Sequence, residues 1–378
     1  MQQPRPQRNN NFDHWLLFSV VAILSLGFVM LASASTPVAE RLKVNMLHLA
    51  WHQAVFIFIG LTAGLTVTFI PIKVLAKYSN AMLFASAILL TIVLIPGVTH
   101  PVNGSMRWLF VGPISIQPSE LAKLALVFYI AGYMVRRNYQ LLNTLQGFLI
   151  PMFVLAIAAF LLMLEPDFGA VVVIACTTLG MLFLGGVRVK NFLILLPVVL
   201  CVLGFLAVSS SYRVQRFVAF RDPWADQYNT GYQLVQSLIA FGRGSWFGSG
   251  LGSSIQKLLY LPESHSDFIF AVLAEELGLV GVLCVLALYG MLAFRAMEIG
   301  RKAKTAGLEY AGNLAYGIGL LLMLQTLINV CVNVGLMPTK GLTLPLMSAG
   351  GSSMVAACIA IGVLFRVDYE TRISAAKH

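Results

Sequence analysis

Ten apolar runs, each close to the length of a membrane-spanning helix, are separated by polar segments that are mostly short. They cover Leu16 to about Ala34, then 51–70, 80–97, 119–135, 147–164, 168–187, 191–208, 268–294, 311–334 and 351–366. A helix needs ~20 predominantly apolar residues to cross the hydrocarbon of a bilayer. Within lipid, a helix also satisfies every backbone polar group internally. The pattern therefore predicts an all-α polytopic membrane protein with ten transmembrane helices. Composition agrees: of 378 residues, 58% are hydrophobic and 11% charged, whereas a soluble chain carries roughly a quarter charged residues. Ala32-Ser33-Ala34 has the look of a signal-peptidase site. The run before it exceeds the ~7–15 residues of a signal h-region, so an uncleaved first helix is expected.

Basic residues set the expected orientation. Arg5, Arg8, Lys73, Lys77, Arg136, Arg137, Arg188, Lys190, Arg295, Arg301, Lys302, Lys304, Arg366, Arg372 and Lys377 fall in alternate segments. The intervening short loops hold only Arg41, Lys43, Arg107 and Lys340. Lysine and arginine concentrate on the cytoplasmic side, so both termini are expected inside. The expected organisation is an N-terminal tail over 1–14, one ten-helix domain over 15–367 and a C-terminal tail over 368–378. The one long loop, 209–267, falls outside, between helices 7 and 8. The net charge of +10 is then explained by topology and contact with membrane lipids, and no nucleic acid partner is expected. In the long loop, Leu234, Leu238 and Ile239 have helical spacing, which predicts a short helix lying on the membrane.

Several chemistries are excluded. The five cysteines (Cys176, Cys201, Cys284, Cys331, Cys358) all lie in apolar runs and form no CxxC, which argues against a disulfide, zinc or redox role. The chain has no Walker motif, Rossmann fingerprint, HExxH or GxSxG, so nucleotide, zinc and serine hydrolysis have no support. No internal repeat is evident.

Five segments carry polar residues that plain loops would not need: Asn103–Trp108, Gln117–Lys123, Glu165–Gly169, the 213–267 loop and Pro338–Ser353. All five map to the outer side, which points to one composite site. Asp267, where the long loop meets an apolar run, is the leading candidate. It could be a helix-start residue stabilised by the macrodipole, but ionisable groups at a membrane edge are functional by default. As a functional group it would serve as a general base. Glu263 and His265 are neighbouring alternatives. Glu275 and Glu276 point in different directions, and one is expected to pair with a buried cation. Glu120 and Lys123, spaced i,i+3, can pair within their own helix. Arg107, Arg213, Arg216, Arg243, Lys257 and Lys340 are the outer cations available to an anionic ligand. Ser352 lies beside the Gly350-Gly351 pair.

The segments NGSMRW, QPSELAKLAL, EPDFG, GYQLVQSLIAFGRG, YLPESHSDFIFAVLAEELG and PTKGLTLPLMSAGGSS together resemble the SEDS family of polytopic glycosyltransferases, over nearly the whole chain. The loop sequence GLGSSIQKLLYLPESHSDF is closer to the division members of that family than to the elongation members. The resemblance implies a ten-helix peptidoglycan polymerase in the bacterial cytoplasmic (inner) membrane, at the division septum. It would extend a nascent glycan strand from lipid II on the outer face, beside a class B penicillin-binding protein and other divisome membrane proteins. The family's essential aspartate matches Asp267. Where the family usually has an aromatic before the paired glycines, this chain has Ala349, so no stacking role is carried over there.

Asp267 would then take the proton of an acceptor 4-hydroxyl, and arginine or lysine side chains would stabilise the departing pyrophosphate. No cofactor is required by this reading; a divalent cation, Mg²⁺ or Mn²⁺, could assist. The family implies displacement with inversion. Two rival readings are a lipid II flippase, with Glu120, Lys123, Glu275 and Glu276 lining a path, and a non-catalytic scaffold for the penicillin-binding protein.

Overall fold

The computed structural model describes residues 12–42, 48–97, 99, 106–111, 114–208 and 218–376. Its helices are α1 (His14–Leu42), α2 (His48–Thr68), α3 (Ile72–Val93), α4 (Pro118–Arg136), α5 (Asn138–Asn143), α6 (Leu145–Leu164), α7 (Phe168–Leu184), α8 (Val189–Val208), α9 (Tyr232–Gly244), α10 (Ile269–Thr305), α11 (Glu309–Asn333) and α12 (Gly351–Ala375). Among the described residues, seven helices are long and apolar enough to cross a membrane, and Gln53–Thr68 of α2 and the whole of α7 are shorter apolar helices. The chain is a polytopic helical membrane protein. Phe58, Phe84, Phe153 and Phe294 point out of the bundle, as expected where the solvent is lipid.

The core forms around α4, which is buried along nearly its whole length, and α11, which packs on α4, α7 and α10. Small residues bring other helices close. A Cβ at Gly362 of α12 would stand 2.2 Å from the Gly64 carbonyl oxygen of α2, so only glycine permits that crossing.

The segments expected inside meet at one end of the bundle. Arg295 donates from Nε to both carboxylate oxygens of Asp13, at 3.1 and 3.0 Å. Ile72 N donates to Glu370 (2.9 Å), and Arg136 Nη2 donates to Asn80 (2.8 Å).

Five features depart from the sequence expectations. The third helix starts at Ile72 rather than 80; Lys73 and Lys77 on its first turns are exposed, and a hydropathy window misses such snorkelling turns. The last helix runs to Ala375, so most of the expected C-terminal tail is helical, with Arg372 donating to Asp368 one turn away (3.1 Å). The expected 268–294 span is broken at Gly278, where φ is +65°. Nine residues, Ile269–Leu277, of which all but Leu277 are buried, thus form their own short helix before the spanning part. At Gly278 a Cβ would lie 2.3 Å from Gly248 N, and at Gly248 (φ +78°) 2.1 Å from Glu276 O. Two chain segments cross there with no room for side chains.

The fourth departure is α9, which does not rest its apolar face on lipid. Leu234, Val235 and Ala240 are buried, and Ser237 donates to the Asn333 carbonyl (2.7 Å). The fifth is an antiparallel hairpin, β1 (Leu109–Val111) with β2 (Ile114–Ile116), pairing Leu109 with Ile116.

Candidate functional site

The opposite end of the bundle holds a cavity of about 720 Å³, with Arg107, Gln117, Glu263, His265, Asp267, Lys340 and Ser353 among its walls. Asp267 reaches it from a tightly held turn. The carbonyl of Glu263 accepts from Ser266 N and Phe268 N, both at 3.1 Å. The next carbonyls are held from outside. His265 O accepts from Ala349 N (2.9 Å), Ser266 O from Ser348 Oγ (2.6 Å), and Asp267 O from Asn329 and Asn333 (2.9 and 3.0 Å). Three successive carbonyls are thus fixed by α11 and the 344–350 loop. Such support preorganises a site. The first turn after Asp267 has its own cap, since Ala271 N donates to Asn333 Oδ1 (3.2 Å).

Arg107 is anchored by carbonyls. Its Nε donates to Glu165 O (3.1 Å) and its Nη2 to Pro166 O. Those residues form the turn between α6 and α7, where Asp167 caps α7 by accepting from Ala170 N (3.2 Å). Asp167 also receives Ser119 Oγ (3.1 Å), joining the turn to the start of α4. A Cβ on Gly341 would stand 3.2 Å from Asp267 Oδ2 and 4.0 Å from Arg107 Nη1. The glycine therefore lets the 338–350 loop pass directly against both groups. Beside it, Lys340 Nζ lies 3.9 Å from the Phe168 ring centroid, a cation–π contact.

Burial shifts one residue of the wall, His265, and one in the turn that anchors Arg107, Glu165. His265 is held below the usual imidazole range by desolvation, against the opposing charge of Glu263. It is therefore neutral at neutral pH, and its Nδ1 is buried without a hydrogen-bond partner among the described residues. Glu165, beneath Arg107, is pushed up to about 8 by burial, then by Asp167, with Arg107 opposing. Both its carboxyl oxygens are buried and unpartnered among the described residues.

The other candidates lie elsewhere. Lys257 pairs with Glu276 at 2.8 Å and is buried. Arg243 lies 3.4 Å from Glu275, whose carboxylate also accepts from the N–H groups of Ile255 and Gln256 (3.1 and 3.2 Å). The two glutamates clasp the 245–258 segment, and both of these cations serve that clasp rather than the cavity wall. Ser352 accepts from Gln117 N (2.8 Å) and donates to Ser115 O (3.1 Å), tying the hairpin to α12. Glu120 and Lys123 pair at 2.9 Å inside the bundle, deeper than the cavity. Arg213 and Arg216 lie outside the described residues, as do Asn103–Ser105 of the first polar segment.

The sequence reading passed over Gln325, Asn329 and Asn333, which hold the site from behind. Their signal was an amide at every fourth position of an apolar helix, the spacing of a single face. Among the described residues, no group of three or more His, Cys, Asp or Glu stands together as a metal cluster. The arrangement offers a proton acceptor beside two cations, which suits deprotonation of a hydroxyl and stabilisation of a departing anion.

Comparison with known proteins finds relatives over nearly the whole chain. The sequence profile of the family described as "Cell cycle protein" (FtsW/RodA/SpoVE) matches residues 14–373. A Legionella pneumophila protein named "Probable peptidoglycan glycosyltransferase FtsW" is 52% identical over 361 residues, covering 96% of this chain and 92% of the relative. One solved chain comes from work on the structural coordination of polymerization and crosslinking by a peptidoglycan synthase complex. It aligns with a TM-score of 0.78 at 30% identity, covering 95% of this chain and 98% of that one. The Thermus thermophilus rod shape determining protein RodA aligns with a TM-score of 0.70 at 28% identity, covering 96% and 98%.

Proposed function

The chain belongs to the FtsW/RodA/SpoVE family of cell cycle proteins, and from that membership we propose how its outer cavity makes glycan. It is a peptidoglycan glycosyltransferase acting in cell division. The observation that carries the mechanism is a carboxylate and two cations, Asp267 with Arg107 and Lys340, on the wall of one cavity.

In the proposed step, Asp267 takes the proton of the acceptor sugar's 4-hydroxyl. That oxygen attacks the anomeric carbon of the donor, and the bond from this carbon to the pyrophosphate oxygen breaks. The polyprenyl diphosphate leaves as an anion beside Arg107 and Lys340, in a single displacement with inversion. Arg107, fixed by two carbonyls, supplies a preorganised fork, and Lys340 a compact point charge. The oxygen donors of Asp267 and Glu263, with the substrate's own diphosphate, suit a hard divalent ion. Such an ion, Mg²⁺ or Mn²⁺, would add positive charge at the leaving group. An apolar groove of about 750 Å³ between α1, α2 and α12, with Leu346 on its wall, can take a lipid tail.

The same reading gives the chain ten spans in the bacterial inner membrane, at the septum, with both termini cytoplasmic and the 209–267 loop outside. Its substrates are lipid II and the growing strand. Its partners are a class B penicillin-binding protein and other divisome proteins.

Purified protein with labelled lipid II separates the readings. Polymer is the expected result. Translocation without polymer would indicate a flippase, and neither activity, with or without the partner, a scaffold.

A further inference from the structure

Gln325, Asn329 and Asn333 are 3%, 2% and 0% exposed, and their bonds run to three different elements. Gln325 accepts from Lys123 Nζ (3.0 Å) and donates to Thr343 O (3.1 Å). Asn329 Nδ2 donates to Leu342 O (2.6 Å) as well as to Asp267 O. Asn333 Nδ2 donates to Asp267 O and to Asn329 O (2.9 Å), while its Oδ1 takes Ala271 N–H. Buried amides in a spanning helix are unfavourable unless paired, and these are paired to the backbone that carries the site. The Asp267 carbonyl alone receives two of them, more than a chain turn needs.

We propose that Asn329 and Asn333 are positioning residues for glycan transfer. They fix the main chain of Asp267, and so the direction in which its carboxylate enters the cavity. Through Leu342 and Thr343, the same helix face fixes the loop that carries Lys340. One rigid helix thereby sets the proton acceptor and the leaving-group cation in register with each other. The inference rests on Asp267 being the base.

Asn333→Asp is the discriminating variant. It has the same shape and keeps an acceptor for Ala271 N–H at a helix N-terminus, where an acid is favourable. It has no N–H to give Asp267 O. Asn329→Ala is the second variant. The experiment measures, for each purified variant with its transpeptidase partner, the polymerisation kcat and the affinity for labelled lipid II, with thermal unfolding alongside. A misplacement of about 1 Å lowers rate ~100-fold. The expected result is a kcat reduced ~10- to 100-fold in both variants, with lipid II affinity changed less than about threefold, in protein that is still folded at the assay temperature. Parental kcat in both variants, while Asp267→Asn is inactive, overturns the positioning role and leaves the base in place. Equal losses of kcat, affinity and stability overturn it too, by reducing the amides to structural ties. An active Asp267→Asn removes the premise and the inference together.

Discussion

Removing the ammonium of Lys257 should destabilise the protein without touching its chemistry. Lys257 Nζ lies 2.8 Å from Glu276, and the two side chains are 5% and 0% exposed. Ser33 of α1 donates to Glu276 (2.7 Å) and accepts from Lys257 (2.7 Å), so the group joins α1, the 245–258 segment and the short helix after Asp267. Lys257→Met keeps the length of the side chain but leaves Glu276 as a buried, uncompensated charge. Breaking a buried pair from one side costs about 3–5 kcal/mol. For a chain of this size that corresponds to a melting midpoint lower by about 5 °C. Adding Glu276→Gln removes the stranded charge and should recover most of the loss, because a buried pair is often replaceable by neutral groups. The assay is thermal unfolding in detergent for parent, single and double variants, with lipid II polymerisation on the double. Parental unfolding of Lys257→Met would refute the clasp. A stable double variant that fails to polymerise would return Lys257 to the substrate.

Lys340→Ala should lower polymerisation while the protein inserts normally, and Lys340→Arg should restore part of it, since charge is kept and geometry changed; gel-resolved polymer tests this, and undiminished output from the alanine variant would leave Lys340 a headgroup anchor. Glu165, in the turn between α6 and α7, has its folded pKa raised from 4.5 to about 8. Its contribution to stability is full below the unfolded value and is lost as pH rises through about 8. Unfolding temperature should therefore fall across that window, and Glu165→Gln should flatten this part of the profile; an unchanged slope would contradict it. A single cysteine at position 229 should react with an impermeant reagent from the outer side only, and labelling solely from the cytoplasm would invert the proposed topology.

The sequence was most readable where chemistry is local. The Glu165–Asp167 turn, with Asp167 capping α7, follows from a proline between two apolar runs. The Glu120–Lys123 pair follows from i,i+3 spacing. Arg107, Asp267 and Lys340 could be placed on one side because alternating spans leave few positions for outer loops. Pairings across the chain were hidden. Glu276 finds Lys257 and Ser33, and Glu275 finds Arg243, only after two glycines let their backbones cross. Lysine and arginine in an outer loop otherwise look like ligands for an anion. Gly278 breaks a helix inside a segment whose average hydropathy still reads as one span, with only Glu275 and Glu276 just before it to mark the place. The three amides of α11 escaped because each alone is ordinary, and their meaning lies in the loops they hold.

Asp267→Asn tests the central claim most directly. It preserves shape, and the first turn after it has its own cap in Asn333, so insertion and pairing with the transpeptidase should survive. Loss of a general base lowers rate ~100- to 10,000-fold. Asp267→Glu should recover little, because the carboxylate must lie within hydrogen-bond reach of one hydroxyl. The measurement is gel-resolved polymer made from labelled lipid II by the purified Asp267→Asn variant with its partner. The account predicts that polymer is lost while protein and complex remain intact; polymer at the parent rate would contradict it and pass the role of base to Glu263 or His265.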